Sequence, residues 1–197
     1  MAEIRWERDF DAAVGRARRE GRPIYLDFWL DGRTGCAAMN AGPYSDERVQ
    51  KFLEDHFIPL KIQCFFDHPD ELMKRFNVTW TPTLVVLDPD GREHHRMVGY
   101  VPVDDLLAHL GLGRGKVLFD TKHLVNAIQA FKTVVELHPC AGAAPEAIFY
   151  RGVAEYKRGH DAAALRWIHD TLKGKYPESE WTRRSEPYAQ IPAHAEV

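Results

Sequence analysis

Apolar residues recur along this chain with two periods, and the changes from one to the other lay out its elements. Phe10, Ala13, Val14 and Ala17 stand at i, i+3, i+4 and i+7, one face of a helix whose other face carries Arg16, Arg18, Arg19 and Glu20 as a solvated surface. Gly21 and Pro23 end it. Ile24 to Trp29 is a short apolar run between Arg22-Pro23 and Asp31-Gly32, with the length and aromatic content of a strand covered on both faces. A helix from about Thr34 through Met39 is stopped by Gly42-Pro43. Ser45, with Asp46 and Glu47 behind it, caps a further helix bearing Val49, Phe52, Leu53 and Phe57. Phe57 to Cys64 reads as a second strand, and Pro69-Asp70-Glu71 opens a short helix through Phe76. Thr83 to Leu87 is a buried strand, Asp88-Pro89-Asp90-Gly91 a hairpin turn, and Glu93 to Val98 its antiparallel return. Val103, Leu106, Leu107 and Leu110 mark a closing helix. This order predicts an α/β domain.

Beyond residue 110 the strand signals give way to helix-period patterns. Gly111, Gly113 and Gly115 are expected to loosen the connection, so the boundary is placed between residues 112 and 113. Past it a repeat emerges: Gly115, Ala127, Phe131 and Pro139 recur as Gly152, Ala164, Ile168 and Pro177, a spacing that predicts two helix pairs. The second copy is the clearer. Pro145 starts a helix with Ile148, Phe149, Gly152, Val153 and Tyr156 on one side, Gly159 turns it, and Asp161 caps a partner bearing Leu165, Ile168 and Leu172. Two repeats fall short of the ~3 needed for independent stability, so these helices are expected to pack on the first domain. Glu178 to Val197 shows no sustained period and is expected to be an irregular tail, anchored by Trp181.

The chain of 197 residues, with 45% hydrophobic and 28% charged residues, suits one globular domain with an appendage or two small domains. A formal charge of −3, with Lys and Arg scattered rather than striped, argues against a nucleic-acid partner. No apolar run approaches ~18 residues, and Met1 to Trp6 lacks the layout of a signal peptide. The expectation is a soluble, cytoplasmic protein with no membrane partner. The three cysteines, Cys36, Cys64 and Cys140, lack metal-ligand spacing, and the ten histidines gather no second ligand type, so no metal or other cofactor is expected.

The candidate chemistry lies where the 24–29 strand breaks into a turn and a helix. Arg22 to Met39, with Asp27-Phe28-Trp29 leading to Arg33-Thr34-Gly35-Cys36, resembles the active-site segment of the thioredoxin superfamily, in which Trp-Cys-x-x-Cys stands at a helix start. Arg33 occupies the place of the first Cys, and Cys36 that of the second. Trp80-Thr81-Pro82-Thr83 is similar to the segment carrying the family's cis-proline, with Pro82 the matching residue. Asp27 matches the buried Asp that serves the second Cys as a proton acceptor, and Lys61 the lysine near it. The resemblance covers residues 1–112 and implies a thioredoxin-like fold, a central mixed sheet flanked by helices. It also implies that Arg33, Thr34, Gly35, Thr81 and Pro82 border a polypeptide-binding cleft, with Cys36 and Asp27 as catalytic candidates. The second half, 113–197, resembles tetratricopeptide repeats, in which small residues permit close helix packing and a Pro ends each unit.

Each candidate carries two readings. Cys36 is a buried small hydrophobe, or a thiol made more acidic by the first turn of a helix and by Arg33. Asp27 is a structural carboxylate paired with Lys61, or a proton acceptor for Cys36. Disulfide exchange uses one thiol to attack and another to resolve, and Arg33 can do neither. The sequence therefore favours a non-catalytic protein-binding, adaptor or chaperone-like module. A thiol-disulfide protein using the single Cys36, through mixed disulfides with a protein or a small thiol such as glutathione, is the first alternative. A structural subunit is the second. The sequence leaves the oligomeric state and the partner's identity open.

Overall fold

The computed structural model describes residues 4–192 and forms two compact units, Met1–Leu107 and Ala108–Val197. In the first unit the elements follow in the order α1 (Phe10–Glu20), β1 (Ile24–Trp29), α2 (Thr34–Ala41), a 3-10 turn (Pro43–Ser45), α3 (Glu47–His56), β2 (Ile58–Gln63), α4 (Glu71–Arg75), β3 (Thr83–Leu87) and β4 (Glu93–Val98). The next helix, α5 (Val103–Asp120), contains the division between the units.

Local chemistry sets the helix ends. Asp9 Oδ1 accepts the Ala12 N–H at 2.7 Å to cap α1, and Gly21 ends it at φ 64°, the left-handed conformation that glycine adopts freely. The cap of α3 is Asp46, which accepts the Arg48 N–H at 2.8 Å, rather than Ser45. The Ser45 hydroxyl is engaged elsewhere, donating to the Asn40 carbonyl at 2.8 Å.

The strands form one mixed sheet in the order β2-β1-β3-β4, with β1 parallel to β2 and antiparallel to β3. This is the mixed sheet flanked by helices that the resemblance implies. Alternation along β1 divides its residues between two faces. Ile24, Leu26 and Phe28 join Phe10, Ala13, Val14 and Ala17 of α1 in one core cluster, with Ile58, Leu60, Ile62 and Cys64 beside them. Tyr25 and Asp27 therefore point to the other face. Ahead of α1, an arm pairs with the sheet edge: the Glu7 N–H donates to the Pro59 carbonyl at 2.8 Å, and the Lys61 N–H to the Glu7 carbonyl at 3.0 Å.

The second unit continues with α6 (Leu124–Leu137), α7 (Ala144–Gly159), α8 (Ala163–Lys175) and α9 (Glu180–Ser185). The glycines expected to loosen the chain at 111–115 instead lie inside α5. Their lack of a side chain is used for contact. A Cβ on Gly115 would stand 2.3 Å from Cε1 of Phe131, and one on Gly111 2.6 Å from Cγ2 of Val134, so α5 and α6 pack closer than any larger residue allows. The second pair repeats the device, since a Cβ on Gly152 of α7 would stand 2.2 Å from Cγ1 of Ile168 on α8. The spacing from Gly115 to Phe131 equals that from Gly152 to Ile168, which gives the sequence repeat a physical meaning.

The expected irregular tail is corrected in part. Residues 180–185 are helical and Glu186–Gln190 form a 3-10 turn. Ser179 caps α9 through its Oγ, which accepts the Trp181 N–H at 3.2 Å, and a helix of one and a half turns is too short to display a period. Trp181 packs on Phe149 at 5.1 Å and on Tyr150 at 6.0 Å between ring centroids. Residues 193–197 of that expectation lie outside the described residues.

The close contacts predict a graded response. Gly152→Ala and Gly115→Ala should each destabilise the chain by about 1–3 kcal/mol through overpacking. Gly174→Ala, whose Cβ would meet nothing within 4 Å, should be neutral or stabilising by up to about 1 kcal/mol. Urea unfolding midpoints of the three variants check this.

Candidate functional site

β1 ends at Trp29, and after the turn at Asp31-Gly32 the chain enters α2 with Arg33 as its N-cap. Arg33 has an extended backbone (φ −89°, ψ 126°) and makes no side-chain cap. It is exposed, as is Thr34, whereas Cys36 in the first helical turn retains only 5% exposure. The intervening Gly35 lies against Pro82: a Cβ there would stand 2.9 Å from Pro82 Cδ and 3.9 Å from the Thr81 carbonyl oxygen. The Thr81–Pro82 peptide is cis, and both residues are buried. The structure thus brings Gly35, Thr81 and Pro82 into direct apposition, with Arg33 and Thr34 at the solvent side of α2.

Two exposed aromatic residues belong to the segments around Pro82 and the end of α2. Trp80, immediately before Thr81-Pro82, is 60% exposed. Tyr100 is 49% exposed, and its hydroxyl lies beside Gly42 at the end of α2, 3.6 Å from where a Cβ of that glycine would stand. Gly99, between Val98 and Tyr100, takes φ 90° and donates its N–H to the Pro82 carbonyl at 2.8 Å. That left-handed turn holds the segment bearing Tyr100 against the proline.

Beneath the α2 side of the sheet sits a polar cluster. Register places Asp27 opposite Lys61 across the β1–β2 ladder, with Lys61 Nζ 3.6 Å from Asp27 Oδ2. Lys61 Nζ also donates to Asn40 Oδ1 at 2.7 Å. It lies 5.1, 5.3 and 5.0 Å from the ring centroids of Trp6, Trp29 and Tyr44, a cage of π faces that favours the cation. Cys36 and Asn40 are four apart on α2 and share a face, so Cys36 points to the side of the helix that meets Lys61.

Burial dominates the electrostatics. Asp27 is 1% exposed and its carboxyl is pushed up from 3.8 to about 6 by desolvation, against the pull of Lys61 and the Tyr44 hydroxyl. Its Oδ1 has no partner among the described protein atoms, and neither does the buried Nε1 of Trp29. Lys61 is pushed below its ordinary value by its own burial. Cys64, fully buried, is pushed up to about 12 by desolvation, with the charge of Asp70 next in effect. That fixes Cys64 as a thiol in the neutral range. Cys64 lies in the core on the α1 side of the sheet, while Cys36 stands on α2.

Sequence reasoning missed the aromatic cage. Trp6 carries no local motif and Trp29 is noted only for the segment it leads into, and the two meet because the arm pairs with β2 while β1 lies on that strand's other side. It also passed over Tyr100, for which the exposed aromatic beside a glycine with φ above zero is a signal visible only in three dimensions.

With the geometry established, comparison with known proteins adds a family. Residues 10–113, just over half of the chain, match the family model described as Thioredoxin-like domain. The Thiol:disulfide interchange protein DsbD of Ralstonia nicotianae is 32% identical over 105 residues, 52% of this chain and 17% of the relative. The protein of the same name from Escherichia coli is 32% identical over 94 residues, 46% of this chain. The chain thus spans only 17% of the length of either relative. Among solved structures, a thioredoxin from Thermus thermophilus aligns with TM-score 0.48 and 30% identity, covering 55% of this chain and 85% of that one.

The raised Asp27 value predicts a pH dependence with a definite sign. Because its folded-state value lies above 3.8, folding favours the protonated form. The stability it contributes is complete below about pH 4 and is lost as pH rises through about 6, by roughly 3 kcal/mol in all. Asp27→Asn should remove this slope. The difference in unfolding free energy between the wild type and the variant, measured from pH 4 to 8, checks it.

Proposed function

As the chain belongs to the thioredoxin-like domain family, we propose that its first unit is a polypeptide-binding module of that family that does not turn over as a dithiol oxidoreductase. The observation that carries this reading is the arrangement at the start of α2. The exposed N-cap position holds Arg33, and the two cysteines of the unit, Cys36 and Cys64, are both buried. A disulfide substrate approaching there meets a guanidinium instead of an attacking thiolate. What is exposed suits binding: Trp80 precedes Thr81-Pro82 and Tyr100 follows Gly99, which donates its N–H to the Pro82 carbonyl, and both offer exposed apolar faces. Aromatic anchors at the centre of a contact carry much of the energy when an extended segment docks.

A second reading, thiol exchange through Cys36 alone, is favoured by a specific observation. Asp27 titrates near neutrality within the Lys61 cluster that the Cys36 face of α2 meets. Were Cys36 ionised and uncovered, its sulfur would attack a disulfide, form a mixed disulfide and release the other half as a thiolate. The relatives named above are thiol:disulfide interchange proteins, which keeps this chemistry in view. A cytoplasmic location and a protein partner form part of the same proposal.

An insulin-reduction assay separates the two. The binding reading expects no sustained turnover by the wild type; turnover that vanishes in Cys36→Ser would establish the single-thiol mechanism instead. Arg33→Cys should restore a Cys-x-x-Cys pair that oxidises with oxidised glutathione, read by loss of two free thiols. Trp80→Ala should weaken capture of an unfolded polypeptide probe by about tenfold, a typical cost for truncating an aromatic anchor, while leaving the unfolding midpoint within about 0.5 kcal/mol. Equal affinity in the variant would move the docking surface away from Pro82.

A further inference from the structure

Where β1 and β2 begin, roughly 17 Å by strand rise from the α2 turn, the first unit holds a cavity of about 250 Å³. Arg5, Arg16 and Arg22 line it, and Glu54 is the only carboxylate among its lining residues, with Ile4 and Phe57 contributing apolar surface. We propose that this cavity binds a small organic carboxylate with a short apolar body.

The argument is a comparison of donors with acceptors. Arg22 donates through Nη1 to Glu20 Oε2 at 2.9 Å and through Nη2 to the carbonyls of Leu53, Glu54 and Phe57 at the end of α3. Its Nε–H is buried and has no acceptor among the described residues. Glu20 cannot turn to supply one, because its other oxygen already accepts Arg16 Nε at 2.7 Å. Arg16 reaches its second carboxylate, Glu7, at 3.0 Å through a single nitrogen, Nη1. Arg5 adds an exposed guanidinium that no carboxylate among the described residues engages. Glu7, Glu20 and Glu54 match the three arginines in charge, yet the Arg22 Nε–H and the Arg5 guanidinium are left without a carboxylate among the described residues, and a carboxylate is the planar acceptor whose two oxygens fit such donors. A buried donor without an acceptor is disfavoured until one arrives.

Glu54 selects among anions. A doubly charged phosphate would face its carboxylate at close range, whereas a monoanion meets less repulsion. Ile4 and Phe57 supply the contact that a short alkyl chain would cover. The site shares no residue with the Gly35–Pro82 surface, so it does not depend on the binding function proposed there.

The test is a titration of the full chain with sodium butyrate, at constant ionic strength made up with chloride, following the arginine Nε–Hε signals by NMR. We expect a saturable shift of the Arg22 signal, with acetate about tenfold weaker, the transfer value of the two missing methylenes. Arg5→Gln should weaken butyrate by about tenfold, the lower value for one charge-assisted hydrogen bond, and Glu54→Gln should tighten it. The Glu54→Gln arm carries the test by itself if Arg5→Gln disturbs the fold. Shifts that never saturate, that chloride reproduces, or that inorganic phosphate saturates while butyrate does not would overturn the proposal. So would unchanged binding by Arg5→Gln, or weaker binding by Glu54→Gln.

Discussion

The first unit is organised around a carboxylate placed where water does not reach it. Asp27 lies on β1, between β2 and β3 in the sheet, with both neighbouring strands in register beside it. Isolated, such a group would be prohibitive in its charged form. Lys61, its ladder partner, lowers that cost without removing it, since the carboxyl is still pushed up to about 6. The lysine is itself nearly buried and needs support of its own, which comes from three ring faces and the Asn40 amide. The supporting groups belong to different parts of the chain: Trp6 to the arm, Trp29 to β1, Asn40 to α2 and Tyr44 to the turn after it. The arm's ladder with β2, the placement of α2 and the protonation of Asp27 are thereby tied to one ammonium group.

The second unit reaches order by another route, through close contact between its helices. Its helix pairs close on glycines, and the closeness is bounded by a large apolar side chain on the facing helix, Phe131 in one pair and Ile168 in the other. A helix interior pays in backbone entropy for each such glycine, so the contact has to recover that cost through dispersion across the narrowed gap. A lysine and a glutamate add polar specificity at the same layer: Lys116 pairs with Glu146 while lying over the ring of Tyr150 at 5.3 Å.

Much of this was legible in the chain. The 24–29 strand, the 83–98 hairpin and the amphipathic α1 follow from period and turn chemistry alone, because each is decided by neighbours within a few residues. Asp27 and Lys61 are both picked out by the resemblance, and their pairing is one of the two readings of Asp27. Their pairing follows from the β1–β2 register, in which the two are opposite. The sequence was misread where a residue serves two purposes. Gly111, Gly113 and Gly115 look like a linker when read locally, yet two of them are contact positions whose partners lie on the next helix. Ser45 has the chemistry of a cap, but Asp46 takes the role because the Ser45 hydroxyl is turned back to the Asn40 carbonyl. The short α9 escaped notice because it is stabilised by Trp181 on Phe149, a contact between elements rather than a pattern within one.

Arg33 raises the sharpest question about the site, because none of the usual structural duties of an arginine is open to it there. As the N-cap of α2 it satisfies no amide, and its charge has the same sign as the helix terminus it sits on. A serine or aspartate in that position would favour the helix by about 1 kcal/mol. The side chain is exposed, and none of the ion pairs of the described residues includes it. Gly35, two residues on, retains the contact with Pro82 that a larger residue would spoil, and Cys36 remains packed behind it. The close Gly35–Pro82 contact and an exposed guanidinium thus stand together at the start of α2. Under the proposed binding function, a group that the fold does not need, at the edge of the surface around Pro82, is left to act on what docks there. For a docking polypeptide this favours acidic residues or a carboxylate end near Arg33, with apolar side chains reaching Trp80 and Tyr100.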